Sequence, residues 1–103
     1  MSQNELYPVF LKVNQLNVLI VGGGTVALEK LSFLLKSSPN AKVLVVSRDF
    51  DEALIELTNK FDVSIVKASY NKTALKNKQL IIAATNNRAV NKMIFEDAKA
   101  ENI

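Results

Sequence analysis

Two hydrophobic periodicities alternate along this chain and predict its elements. Four short runs rich in Val, Leu and Ile have the length of buried strands: residues 18–21, 42–47, 63–66 and 79–84. Apolar residues recur at helical spacing in three longer stretches: residues 25–37, 51–60 and 90–100. One further helical turn is predicted around residues 73–75. Strands that alternate with helices in this way are typical of a parallel sheet with helices on both faces.

The predicted topology is that of a Rossmann-like, doubly wound α/β domain. Right-handed crossovers would place the four strands in the order 3-2-1-4. The sequence contains no internal repeat or linker, so we expect a single domain over residues 1–103. The apolar segment Leu6–Leu11 contains Pro8 and is predicted to be an extended lead-in that packs on the sheet. The sequence ends at Ile103, where the alternation calls for a fifth strand, and we expect a domain truncated from a longer protein.

All three glycines lie together, between the first strand and the first helix. Gly22 is expected to form the tight turn out of the strand, because glycine adopts backbone angles that a Cβ forbids. Gly24 leaves the main chain open to a pyrophosphate, and Ala27 lets the helix lie close to the sheet, which completes the pattern G-x-G-x-x-A. The helix that begins near Thr25 directs unpaired N–H groups at the same point. Strand, glycine turn and amphipathic helix together predict a dinucleotide-binding unit.

Ligands of open α/β sheets bind beyond the carboxyl ends of the strands, where the strand order reverses. In this chain that point lies between strands one and four, and small or polar residues follow the neighbouring strands. The candidate cofactor-binding residues are Gly22, Gly23, Gly24, Thr25, Val26, Ser47, Arg48, Asp49, Thr85 and Asn86. Three loops that are distant in sequence are thus predicted to converge on one crevice.

Several of these candidates have a structural alternative. Asp49 either accepts hydrogen bonds from the adenosine ribose or, with Glu52 three residues on, caps the second helix in a capping box. Arg48 meets a 2′-phosphate, which would favour NADP, or stacks on adenine, or points into solvent. Thr85 and Asn86 either contact the nicotinamide half of a dinucleotide or cap the last helix.

Other conspicuous side chains are predicted to be structural. Phe33, Met93 and Phe95 lie in helical segments and are expected to be core residues. Four lysines of the segment before the fourth strand are interpreted as a solvated face: Lys67, Lys72, Lys76 and Lys78.

Composition narrows the chemistry that the chain can perform. It contains no cysteine and no histidine, which removes disulfides, thiolate zinc sites and the commonest general base. The net charge of +3 comes from scattered lysines rather than from a basic stripe, so nucleic-acid binding is not expected. No apolar run has the length of a membrane span and no signal-peptide pattern is present. We expect a cytoplasmic protein without a metal site, whose acid–base chemistry rests on carboxylates, lysines, tyrosines or a cofactor.

Four segments carry a resemblance to a known family: Leu6–Leu11, Val18–Ala27 with Lys30, Val45–Asp49, and Ile82–Asn86 with Val90 and Asn91. In this order they resemble the amino-terminal dinucleotide-binding domain of siroheme synthases, the precorrin-2 dehydrogenase and sirohydrochlorin ferrochelatase family. The proline lead-in, the tripled glycine and Ala-Ala-Thr-Asn are the most distinctive parts. The resemblance spans residues 6–103.

The resemblance implies an NAD-dependent oxidation of precorrin-2, a tetrapyrrole, to sirohydrochlorin during sirohaem synthesis. In many members the same protein also inserts ferrous iron, and the resemblance implies a homodimer for the full-length protein. Carried over by motif, Thr25–Val26 and Arg48–Asp49 would contact NAD. The nicotinamide would lie near Thr85–Asn86, at the end of the fourth strand.

The family's key aspartate lies on the strand that follows the last helix, in an Asn-Val-Val-Asp-like segment. This sequence ends before that strand, and Asp97 on the last helix is not its equivalent. We therefore assign no catalytic residue within the chain. The 103 residues are expected to bind NAD without turning over precorrin-2 on their own.

A binding module without chemistry is the alternative class. Regulatory nucleotide-sensing domains of ion transporters also place a glycine turn on a doubly wound sheet, and the fold does not fix the function. Such sensors usually carry an acidic residue directly at the end of the second strand, where this chain has Ser47, and they lack the lead-in with Pro8. Both differences favour the enzyme domain.

Overall fold

The computed structural model describes residues 15–103. Its strands are β1 (Asn17–Val21), β2 (Lys42–Ser47), β3 (Val63–Lys67) and β4 (Leu80–Ala83). Its helices are α1 (Thr25–Ser37), α2 (Glu52–Thr58) and α3 (Arg88–Ala100), with a 3-10 turn at Lys72–Leu75 before β4. Every predicted strand and helix is present, and α1 and β2 have the predicted bounds. The predicted lead-in at Leu6–Leu11 lies outside the described residues.

The sheet is parallel throughout and has the predicted order, β3-β2-β1-β4. β1 is central, and its last residue, Val21, lies opposite Val46 on β2 and Ala83 on β4. This register brings the carboxyl ends of three strands to one level. The loops that follow them, including the glycine turn, therefore open at the same edge of the sheet.

Alternate residues of β1 point to opposite faces of the sheet, and both faces are covered. On one face, Val18 and Ile20 form a core cluster with buried residues of α1 and α2: Ala27, Leu31, Leu35 and Leu54. On the other face, Leu19 and Val21 pack with residues of the 3-10 turn and α3: Leu75 and Ile94. The arrangement is the predicted doubly wound α/β fold, with β1 buried between two layers of helices.

The prediction that Phe33, Met93 and Phe95 are core residues is wrong. Their exposed fractions are 75%, 45% and 66%. The physical reason is their position around each helix. Phe33 lies two residues after the buried Leu31, which turns it by about 200° toward solvent. Met93 and Phe95 flank the buried Ile94, so each is rotated by about 100° from the direction that faces the sheet.

The predicted capping box of α2 is also absent. The residue that precedes the helix is Asp51, in an extended conformation and without a side-chain hydrogen bond to the first turn. Asp49 lies two residues further upstream, and α2 begins at Glu52 rather than at Asp51. The chain is held there by its backbone, because the Asp51 N–H donates to the Gly23 carbonyl at 2.7 Å. Asp49 therefore does not cap α2.

The residue that caps the last helix directly follows the two candidates Thr85 and Asn86. Asn87 precedes α3, and its Oδ1 accepts a hydrogen bond from the Val90 N–H at 3.1 Å. Of the four lysines interpreted as a solvated face, Lys67, Lys72 and Lys76 are exposed and Lys78 is half-buried. Among the helices of residues 15–103, none is both long enough and apolar enough to cross a membrane.

Candidate functional site

A cavity of about 530 Å³ opens at the carboxyl edge of the sheet, above the end of β1. It is lined by residues from the ends of all four strands and from α3: Val21, Gly22, Gly23, Gly24, Val46, Ser47, Arg48, Asp49, Phe50, Asp51, Ala68, Ser69, Tyr70, Ala84, Thr85, Asn86, Val90 and Met93. Eight of the ten candidate cofactor-binding residues are in this lining. Thr25 and Val26 are the exceptions, since they form the exposed first turn of α1 next to Gly24.

Gly22 makes the turn out of β1 with a φ of +136°, a conformation that side chains rarely allow. A Cβ on Gly22 would also collide with the backbone carbonyl of Ala84. The Gly22 N–H donates to the Val46 carbonyl at 2.9 Å, so the turn is tied to β2. Gly22 is therefore required by the fold, at the point where three strands end.

Gly23 is closely packed, whereas Gly24 faces open space. A Cβ on Gly23 would collide with the Asp49 carbonyl and crowd the Ser47 hydroxyl, so this glycine lets the β2 loop pack on the turn. A Cβ on Gly24 would have no heavy atom within 4 Å. Since Gly24 lines the cavity, its missing side chain leaves space for a ligand rather than for another part of the fold.

The amino terminus of α1 is open to a ligand. Gly24 is its N-cap and provides no side-chain hydrogen bond, and the first turn contains no acidic residue. The first bond of the helix runs from the Leu28 N–H to the Gly24 carbonyl at 3.0 Å. The preceding N–H groups have no carbonyl four residues earlier within the helix, which creates a partial positive charge suited to an anion.

The β2 loop supplies two charged side chains to the cavity wall. Arg48 and Asp49 are both exposed, and neither side chain forms a hydrogen bond or ion pair with another residue of the described chain. With the capping role excluded, the Asp49 carboxylate is free to accept hydrogen bonds from a ligand. The guanidinium of Arg48 is likewise available to a ligand.

Thr85 is fixed in the wall after β4 by α3. Its hydroxyl donates to Asn91 Oδ1 at 2.6 Å, and its N–H donates to the same oxygen at 3.1 Å. Asn91 Nδ2 in turn donates to the Thr85 carbonyl at 3.1 Å. Asn86, the next residue, is exposed and lines the cavity. Because Asn87 caps α3, capping does not explain the presence of Asn86 at this position.

The wall after β3, where Ala68, Ser69 and Tyr70 line the cavity, is absent from the predicted site. The signal was available, because the carboxyl end of every parallel strand opens at the same edge of the sheet. The Ala68 N–H donates to the Ser47 carbonyl at 2.9 Å, which joins this wall to the β2 loop. The contribution of Val90 and Met93 could not be deduced from helical spacing, which predicts faces but not the position of a helix end over the sheet.

Within residues 15–103, Tyr70 is the one group whose pKa is clearly shifted from its ordinary value. Its hydroxyl donates to Asp97 Oδ2 at 2.9 Å, and Lys72 Nζ lies 4.0 Å from the other carboxylate oxygen. Burial of the phenol, followed by this hydrogen bond and the negative charge of Asp97, raises the pKa of Tyr70 far above its ordinary value of 10.0. The neutral, hydrogen-bonded form of Tyr70 is therefore kept at every physiological pH.

This shift predicts a loss of stability in alkali. Above pH 10 the unfolded chain releases the Tyr70 proton while the folded chain retains it, so the free energy of unfolding falls as pH rises. Below pH 10 the contribution is fully present. Urea unfolding at about pH 9 and about pH 11 should show a smaller decrease for Tyr70→Phe than for the wild type. Equal decreases in the two proteins would contradict the prediction.

No three His, Cys, Asp or Glu side chains in the described part of the chain are grouped to hold a metal ion. This edge of the sheet forms a polar cleft with a positive helix terminus on one wall, the exposed Asp49 carboxylate on the next, and polar and aromatic groups opposite. Such a set of groups can bind a nucleotide.

Comparison with known proteins agrees with this geometry. Residues 9–103 match a protein-family model described as "Putative NAD(P)-binding". The chain is 43% identical over 99 residues to a siroheme synthase of Pseudoalteromonas translucida, covering 96% of this chain and 20% of that protein. It is 37% identical over 97 residues to a siroheme synthase of Psychrobacter arcticus, covering 94% of this chain and 17% of that protein.

A solved structure is also similar. It is titled SirC, precorrin-2 dehydrogenase, and it superposes with a TM-score of 0.77 at 30% identity, covering 87% of this chain and 44% of that one. These matches confirm the resemblance to siroheme synthases and the Rossmann-like fold class. The chain spans about a fifth of the length of the curated relatives it matches.

Proposed function

The chain belongs to this NAD(P)-binding family, and we propose that it is the NAD-binding part of a precorrin-2 dehydrogenase. The observation that carries the proposal is the convergence of three features on one cavity: the glycine turn, the uncapped terminus of α1, and the polar loops after β2 and β4. The likeness to siroheme synthases and to a precorrin-2 dehydrogenase supports the choice of reaction.

The pyrophosphate of the cofactor would lie against Gly24 and the first turn of α1. Gly24 leaves the space, and the N–H groups of Thr25 and Val26 belong to the first turn of α1, where no carbonyl of the helix accepts them. The exposed Thr25 hydroxyl can add a further hydrogen bond. Because no acidic residue lies in that turn, nothing there opposes the negative charge of the phosphates.

The adenosine half would lie along the β2 loop, formed by Ser47, Arg48 and Asp49. The free Asp49 carboxylate would accept hydrogen bonds from the ribose hydroxyls and would repel a 2′-phosphate, so we propose NAD rather than NADP. The Arg48 guanidinium is planar and would stack on the adenine.

The nicotinamide would lie beside Thr85 and Asn86, after β4. NAD supplies the hydride acceptor, and the residues of this chain orient it toward the substrate. Thr85 is suited to this task because Asn91 holds both its hydroxyl and its backbone. The proposed substrate is the tetrapyrrole precorrin-2, oxidised to sirohydrochlorin. For the longer protein, we propose a cytoplasmic homodimer whose catalytic aspartate follows α3; iron insertion is a further activity to test there.

Ligand-induced stabilisation tests the proposal on the chain alone. NAD at 100 times its dissociation constant should raise the free energy of unfolding by about 2.7 kcal/mol, visible as a shift in melting temperature. NADP and ATP at the same concentration should give smaller shifts. A larger shift with ATP than with NAD would favour a nucleotide-sensing module, and the absence of a shift with any of them would refute the proposal.

Asp49→Asn provides the matched control, because it keeps the size of the side chain and removes its charge. Because Asp49 is exposed, the free energy of unfolding should change by no more than about 0.5 kcal/mol. The ratio of the affinity for NAD to that for NADP should be smaller in this variant than in the wild type, because the charge that repels the 2′-phosphate is lost.

A further inference from the structure

The wall after β3 contains an aromatic ring whose position is fixed from another element. Tyr70 lines the cavity and also packs against the core cluster of Leu19, Val21 and Val46. One part of the half-buried side chain thus contacts the core, and another is open to the cavity. Its hydroxyl is already used, because it donates to Asp97 on α3.

Asp97 is placed to hold that ring. Only 17% of its side chain is exposed, and its two oxygens face the Tyr70 hydroxyl at 2.9 Å and the Lys72 ammonium at 4.0 Å. The same helix holds Thr85 through Asn91, six residues earlier. α3 therefore fixes one side chain in the wall after β3 and one in the wall after β4, and its own lining residues, Val90 and Met93, are apolar.

We propose that Tyr70 is the contact surface for the adenine of the cofactor and that Asp97 is the residue that positions it. This inference rests on the proposed function and specifies one part of that site. The Ala68 N–H is bonded to the Ser47 carbonyl, so the loop that carries Tyr70 is joined to the β2 loop, where the adenosine half would lie. A flat base gains by stacking on a ring, and a ring that is already held loses little freedom when the base binds.

Binding measurements with each half of the dinucleotide distinguish this inference from the proposed function. Calorimetric titration of the chain with ADP-ribose and with nicotinamide mononucleotide should give opposite responses to Tyr70→Ala. Affinity for ADP-ribose should fall about tenfold, as expected for the loss of one stacked base. Affinity for nicotinamide mononucleotide should stay within about twofold of wild type, because its ring is proposed to lie beside Thr85 and Asn86, after β4.

The positioning role of Asp97 requires a readout that a general loss of packing would not move. Asp97→Ala should weaken ADP-ribose binding by less than Tyr70→Ala, and Asp97→Asn should restore it, because the amide oxygen still accepts from the phenol. Tyr70→Phe keeps the ring and breaks the same bond, so the double variant with Asp97→Ala should bind no more weakly than either single variant. Glu96→Ala, an exposed neighbour on α3, is the control and should have no effect.

Fluorescence tests the contact without removing the ring. The sequence has no tryptophan and two tyrosines, so Tyr7→Phe leaves Tyr70 as the one tyrosine fluorophore. ADP-ribose should quench its emission in proportion to occupancy, whereas nicotinamide mononucleotide should not. This measurement also covers the case in which Tyr70→Ala fails to fold.

Each remaining outcome overturns a definite claim. If wild type binds ADP-ribose and Tyr70→Ala binds it equally well, the adenine contact is wrong and the proposed function stands. If Tyr70→Ala weakens both halves of the dinucleotide alike while it remains folded, the adenine assignment is also wrong. If wild type binds neither ADP-ribose nor NAD, the proposed function and this inference fail together.

Discussion

Gly22→Ala is expected to lower the free energy of unfolding by about 3 kcal/mol, because strain and collision act at one residue. The φ of +136° is unfavourable for any side chain, and the added methyl group would meet the Ala84 carbonyl. Neither neighbour can move cheaply, since Gly22 is bonded to Val46 and the Ala84 N–H donates to the Val21 carbonyl at 2.8 Å. Urea denaturation of both proteins measures the difference.

A second glycine provides the comparison for that result. Gly24→Ala adds the same methyl group two residues later, at a φ of −102° and in open space. Its free energy of unfolding should stay within about 0.5 kcal/mol of wild type, because the loss of a good N-cap residue opposes the lower entropy of the unfolded chain. If Gly22→Ala proves as stable as Gly24→Ala, the structural role assigned to Gly22 is wrong.

The fold could be predicted almost completely from the sequence because its signals are local. The apolar runs of β1 and β2 are nearly unbroken, and the stripe of α1 from Ala27 to Leu35 is regular, so the predicted bounds are close to those observed. α2 was less predictable, since its start depends on a backbone bond between Asp51 and Gly23 that no pattern indicates. The exposed Phe33 shows the limit of composition, because an aromatic residue in a helix is not a core residue unless its phase around the helix is right.

The site could be predicted only where a motif determines it. The roles of Gly22 and Gly24 follow from the spacing of the glycine turn, and the loops after β2 and β4 follow from the topology. Gly23 could not be explained in advance, because the atom that requires it is the carbonyl of Asp49, distant in sequence. The bond between Tyr70 and Asp97 spans 27 residues and depends on how α3 lies over the sheet, so it too required the structure.

Substitution of Gly24 is the most direct test of which ligand the cavity binds. Gly24→Ala should weaken NAD binding by about 5- to 150-fold while the fold is kept, since a methyl group in a filled site costs about 1–3 kcal/mol. The methyl would occupy space that the structure leaves open at the uncapped end of α1, where the pyrophosphate is proposed to bind. Calorimetric titration with NAD measures the loss.

Adenosine is the ligand that makes this prediction specific, because it carries the base and ribose but no phosphate. Its affinity should be the same for Gly24→Ala and wild type, whereas affinities for ADP-ribose and NAD should fall together. Gly22→Ala should show the reverse profile. Its free energy of unfolding should fall, and its apparent affinity for every ligand should fall by one common factor, set by the fraction of the protein that remains folded. If Gly24→Ala binds NAD as well as wild type does, the phosphates do not lie at the terminus of α1, and the cavity must hold its ligand in another orientation.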